Sequence, residues 1–136
     1  MLIRWFLLVL LVWSAGCSST VPTTIKLRPV ANSYGFSGDY IDVASADRPP
    51  ILQKPTMPRY PTLLRRNGVS GAAEIAYIVE TDGTTSQVQV VAANDVEFGE
   101  AARAAVAQWR FRPGLKDGRP VRVVVKQVIS FDVGFD

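Results

Sequence analysis

The chain contains no histidine and only one cysteine, Cys17. These two shortages exclude much chemistry. One thiol cannot close a disulfide within the chain. Without imidazole there is little to build a zinc site or a Ser-His-Asp type triad from. The chain also lacks a strong excess of one charge. Fifteen Lys and Arg face twelve Asp and Glu, a net of +3, and the signs are interleaved, so the total gives no nucleic-acid surface. Glu74, Glu80 and Asp82 are close in sequence, but no titratable base stands near them to complete a catalytic pair. They read as solvent-face and turn residues. No enzyme, cofactor or metal is expected. A long hydrophobic run is missing too. Residues 5–17 form an apolar run of thirteen, whereas a bilayer-spanning helix needs about 20. At ~1.5 Å per residue the run covers roughly 20 Å.

What is present begins at that run. Met1, Leu2, Ile3 and Arg4 place one positive charge before it, the layout of a secretory signal. Ser14-Ala15-Gly16-Cys17 resembles the lipobox of bacterial lipoproteins, in which small residues precede a cysteine that is acylated and becomes the first residue after cleavage. Ser14 departs from the pattern, where Leu is common. An unpaired thiol in an oxidising compartment is a liability, which favours lipidation over ordinary cleavage. The expected division is a signal peptide over residues 1–16, a lipid-attached flexible linker over 17–54 and a domain over 55–136. Ser18, directly after the cysteine, resembles signals that allow export to the outer membrane in enteric-type bacteria. An uncleaved anchor in the inner membrane is the competing reading. In the linker, Pro22, Pro29, Pro49, Pro50 and Pro55 block helices and interior strands. Tyr34, Phe36, Tyr40 and Ile41 interrupt it, either as a short strand or docked on the domain.

Order becomes readable at Pro58-Arg59-Tyr60-Pro61. A short helix is expected from Pro61, with Leu63 and Leu64 inward and Arg65 and Arg66 outward, ending at Gly68 in a left-handed conformation. After Gly71 the period changes to two, with Ala73, Ile75, Tyr77 and Val79 on one face. Asp82-Gly83 reads as a two-residue hairpin turn with positive φ at both positions. A second strand follows, with Val88 and Val90 on one face. Then Phe98, Ala102, Ala105, Val106 and Trp109 recur at helical spacing. Lys116-Asp117-Gly118 makes a turn, and a last strand is expected over residues 121–133. The predicted fold class is α+β, in the order α-β-β-α-β, with helices on one face of a three-stranded antiparallel sheet. A right-handed crossover gives the strand order 2-1-3, with the last strand at an edge.

"YP" at residues 60–61, the glycines of "NGVSG", and "IVETDGT", "FGEAARAAVAQWRFRP", "DGRPV" and "VISFDV" resemble the successive blocks of the TonB C-terminal domain family. "WRFRP" followed by "DGRPV" and a terminal apolar strand carries most of the specificity. Gly99 departs from the pattern, where an acidic residue often follows the aromatic. The resemblance implies a domain that binds an extended peptide from an outer-membrane transporter, or another envelope protein, by adding it to an exposed sheet edge. Such an edge shows unpaired N–H and C=O groups that accept another chain with little sequence demand. The expected edge is formed by Val121, Arg122, Val123, Val124 and Val125, with Arg119 and Arg122 pairing to acidic groups of the partner. Tyr60 and Pro61 either touch the partner or pack where the chain enters the first helix. The same edge can pair with a second copy to give a homodimer.

The resemblance also implies, for a complete energy transducer, a full membrane span bearing a histidine. This chain shows neither, so domain and energy coupling are separate questions. Three readings follow: a lipid-anchored periplasmic binding module, an energy transducer with an uncleaved anchor, and a structural envelope lipoprotein.

Overall fold

The computed structural model describes residues 28–29 and 35–134. Among them the order is β1 (Arg28–Pro29), β2 (Ile41–Asp42), β3 (Ile51–Lys54), α1 (Thr62–Arg66), β4 (Gly71–Val79), β5 (Thr85–Ala93), α2 (Val96–Val106), β6 (Arg110–Arg112), β7 (Gly114–Lys116), β8 (Arg119–Val121) and β9 (Val123–Phe131). Both α-helices were anticipated, and the architecture is α+β. The expected three-stranded sheet is corrected. The main sheet has five strands in the order β1-β5-β4-β9-β2. Its three long strands pair antiparallel. The two additions come from before residue 55: β1 lies antiparallel to β5, and β2 lies parallel to β9. Two-residue strands carry no periodicity, so nothing in the pattern announces them.

Within the described part of the expected linker, short strands pair with strands of the domain. β2 extends the main sheet, and β3 pairs antiparallel with β6. Arg48 and Leu115 exchange backbone hydrogen bonds of 3.2 and 2.9 Å. The question left open at Tyr40 and Ile41 is thereby answered: Ile41 begins a short strand, and that strand docks on the domain.

The expected last strand divides at Arg122. β8 turns back on β7 through Asp117-Gly118, both at positive φ (51° and 73°), the two-residue hairpin that these residue types favour. Asp82-Gly83 is a different turn. Only Gly83 has positive φ, at 85°. Its N–H donates to Glu80 O at 2.9 Å, and Glu80 N–H donates to Thr84 O at 2.8 Å, closing a three-residue loop of type I geometry. The Asp82 carboxylate accepts from Thr84 N at 2.9 Å. This local acceptor holds the aspartate in a turn of its own. A Cβ on Gly83 would run into Phe111 O.

The core lies between β4, β5 and β9 on one side and α2 on the other. Ile75, Tyr77, Val79, Phe98, Ala102 and Val106 are fully buried. Phe98 and Phe131 stack at 4.7 Å between ring centres, and Tyr77 meets the edge of Trp109 at 6.3 Å. α2 stops at Val106, earlier than the apolar stripe suggested. Trp109 is still buried, because the chain turns through Gln108 and Trp109 before β6. Its indole donates to Thr56 O at 2.8 Å. Asp95 caps α2 by accepting from Glu97 N at 2.9 Å. Gly99 is buried where a Cβ would lie 2.9 Å from Val90, so the departure there allows the helix close to the sheet. α1 shows one further correction: Leu64 packs against the core, but Leu63 is 61% exposed. A helix of five residues presents too narrow a face to bury two adjacent leucines.

Candidate functional site

β9 has two edges. One is paired with β4 along its whole length, from Gly71 with Phe131 to Val79 with Val123. The other meets β2 only at Val123 and Val124. Among the described residues, that outer edge has no strand partner over residues 125–131. A row of backbone N–H and C=O groups there is available to a further chain. Alternation along β9 turns Val123, Ile129 and Phe131 into the core, while Lys126, Val128 and Ser130 are exposed.

The expected binding residues fall at the two ends of this strand. Arg119 is exposed in β8, and Val121 is half-buried there, paired with Gly114. Val123 and Val124 are already paired, with Ile41 and Asp42. Val125 is the first residue of the open stretch. Tyr60 lies at the other end. Its ring stands edge-on to Phe98 and Phe131 at 5.7 and 5.6 Å, and its hydroxyl donates to Val69 O at 2.6 Å. Pro61 is half-buried and flanks the first residue of α1. Tyr60 and Pro61 therefore pack on the domain and sit roughly 25 Å of strand away from Val123, at ~3.3 Å per residue. One cluster does not form; one edge connects both ends.

Arg122 was expected to reach toward a partner's acid. It is already engaged. Its Nε and Nη2 donate to the two carboxylate oxygens of Glu80 at 2.8 and 3.1 Å. Its Nη1 donates to Ser37 O at 3.2 Å and to Asp39 O at 3.1 Å. Glu80 also accepts from the Ser86 hydroxyl. The Arg122 guanidinium holds the Glu80 carboxyl below its ordinary value, helped by Ser86 and opposed by burial. Both groups belong to the face of the sheet away from α2, because Glu80 and Arg122 keep the alternation of Ile78 and Val124.

Sequence reasoning missed the residues that meet Arg122. Ser37 and Gln87 exchange hydrogen bonds: Ser37 N donates to Gln87 Oε1 at 2.8 Å, and Gln87 Nε2 donates to Ser37 O at 3.1 Å. Gln87 sits at φ 49° where β5 shifts register against β4, a bulge that re-aims its side chain. Ile41 N donates to Arg122 O at 2.9 Å. Asp42 accepts from Ala44 N at 2.9 Å and caps a single 3-10 turn at Val43–Ser45. Asp47 accepts from Lys116 Nζ at 3.1 Å and Asp117 N at 2.7 Å, contacts that hold its carboxyl below the ordinary value, the backbone N–H of Asp117 most of all. Residues 35–48 thus form a strap from β5, past Arg122, along β9 to the β7–β8 hairpin. The sequence signal was the interruption of the linker by Tyr34, Phe36, Tyr40 and Ile41.

Cys17 lies outside the described residues. Among the described residues no group of acidic or cysteine side chains could hold a metal ion, and no helix is long and apolar enough to cross a membrane.

Residues 56–133 match the family described as Gram-negative bacterial TonB protein C-terminal. Protein TonB of Vibrio cholerae is 30% identical over 101 residues, 74% of this chain and 40% of that protein. Protein TonB of Pseudomonas aeruginosa is 26% identical over 89 residues, 65% of this chain and 25% of that protein. The chain therefore spans less than half the length of these relatives. The solution NMR structure of the Pseudomonas aeruginosa TonB CTD matches with a TM-score of 0.55 at 23% identity, covering 64% of this chain and 89% of that one. At that identity the likeness concerns the fold alone.

Proposed function

Because the chain belongs to the TonB C-terminal domain family, we propose that it is a binding module without chemistry of its own. It recognises an outer-membrane transporter, or another envelope protein, by taking an extended peptide onto a sheet edge, in support of transmembrane transport. The supporting observation is the outer edge of β9, along which no described strand pairs beyond Val124. Main-chain hydrogen bonds would supply affinity there, and alternate side-chain positions would supply selectivity. Calorimetry on the full chain in detergent, with a panel of transporter N-terminal peptides, tests this. Saturable heat from some members is expected; no heat and no competition from any would overturn it.

The lipid attachment at Cys17, the signal peptide over residues 1–16 and a domain beginning at residue 55 belong to the same proposal. They place the module on the periplasmic side of a membrane, the outer one by the reading of Ser18. Mass spectrometry of the mature N-terminal peptide checks this. An acylated Cys17 supports it, and an intact Met1 rejects it in favour of an uncleaved inner-membrane anchor.

A further inference from the structure

We propose that residues 37–42 are an internal ligand of the β9 edge: a displaceable strap that must leave Val123 and Val124 before an extended acidic peptide can pair along the whole strand. This rests on the proposed edge-binding function and adds its regulation and the kind of chain it accepts.

The strap occupies the site in the manner of a ligand. It adds a strand of two residues to the outer edge of β9, and Ile41 N–H donates to the Arg122 carbonyl. Ile41 stands beside Val123, whose side chain enters the core, while Asp42 stands beside Val124. A replacing chain would therefore carry an aliphatic residue in the place of Ile41, acidic residues around it, and carbonyl groups for the Arg122 guanidinium.

The strap is also weakly held. None of residues 35–48 is buried, and Tyr40 and Val43 are each 41% exposed. Its fastening includes hydrogen bonds to Arg122, Gln87, Leu115, Lys116 and the Asp117 amide, all at the surface. Segments with few buried apolar contacts open at low free energy. Gly38 is the narrow point. It has φ +82°, and a Cβ there would run into the Arg122 guanidinium. Being covalently attached, the strap competes at high effective concentration, and an external peptide sees only the fraction of molecules in which it is open.

Two substitutions unfasten it without touching the core. Ile41→Pro removes the N–H that reaches Arg122 O, and Gly38→Val forces Cβ against the guanidinium. Ile41→Val is the conservative control. The probe is a fluorescent synthetic peptide copying residues 36–44, Phe-Ser-Gly-Asp-Tyr-Ile-Asp-Val-Ala, read by polarisation on the full chain in detergent. Hydrogen-exchange protection of β4 amides reports that the core remains folded. Both unfastened variants are expected to bind the probe at least ~10-fold tighter than the unaltered chain, with Ile41→Val behaving like the unaltered chain. Equal affinity across folded variants, or no binding to any, overturns the strap as a ligand. Transporter peptides run in parallel separate the two readings. If they bind every variant equally, the edge function stands and the strap proposal falls. If the copied peptide binds the unfastened variants and transporter peptides bind none, the strap stands and the transporter reading falls.

Discussion

The two faces of the main sheet are covered by different means. On one face Ile75 and Tyr77 of β4 meet α2 and the aromatic cluster of Phe98, Trp109, Phe111 and Phe131. On the other, Ala76 and Ile78 are equally buried, yet the segment from Ser37 to Ile41 is fastened by polar contacts at Arg122 and Gln87. Apolar packing is shared among many neighbours and yields only when the whole unit unfolds. A strap held by a few partly exposed hydrogen bonds can open alone. One strand can thus be rigid on one side and exchangeable on the other, which is what an edge that changes partners requires.

The sharpest way to separate the faces is to damage the packed one. Phe98→Ala removes a fully buried ring and is expected to destabilise by about 3–5 kcal/mol. In urea the core transition should then move to lower denaturant, while the free energy of local strap opening stays unchanged. Gly83→Ala strains the hairpin on that same packed side, at φ 85° and against Phe111 O. A loss of about 1–3 kcal/mol is expected in a thermal melt. A strap-opening free energy that falls in step with the core's in either variant would erase the distinction.

Acid should act on the strap face. The folded Glu80 carboxyl lies below its ordinary value of 4.5, and Asp47 lies below 3.8. Between folded and unfolded values the unfolded chain binds more protons, so stability rises with pH. The contribution of these two groups is present above their ordinary values and is lost as pH falls through the folded ones. The protection of the Ile41 N–H against hydrogen exchange, relative to its intrinsic rate at each pH, is expected to fall below about pH 4, before that of β4 amides does. Glu80→Gln should remove most of that dependence. The smallest effect is expected from Arg103→Ala. Its bridge to Glu100, 2.7 Å long, is solvent-exposed on α2 and should change melting stability by about 0.3 kcal/mol or less.

Much of this fold is legible in residue pattern. β4 and α2 announce themselves because Ala73, Ile75, Tyr77 and Val79 recur at two, and Phe98, Ala102 and Val106 at helical spacing. β9 was legible as a strand for the same reason, but not its place inside a five-stranded sheet. Nor was the occupancy of its outer edge. Ile41 and Asp42 are two residues in a proline-rich stretch, and their pairing depends on Arg122, more than eighty positions later in sequence. The two Asp-Gly pairs show the same limit. At Asp117-Gly118 both residues take positive φ, whereas at Asp82 the side chain finds Thr84 and only the glycine does.

By itself the sequence determined the family, through the resemblance of its ordered motif blocks, and the α+β elements with the three long strands, because periodicity and turn chemistry act over a few neighbouring residues. Only the tertiary structure decided that Arg122 fastens the chain's own strap, that Tyr60 is packed on Phe98 and Phe131, and that Val123 and Val124 already have a partner. Those outcomes depend on contacts between residues distant in sequence, for which no local pattern exists.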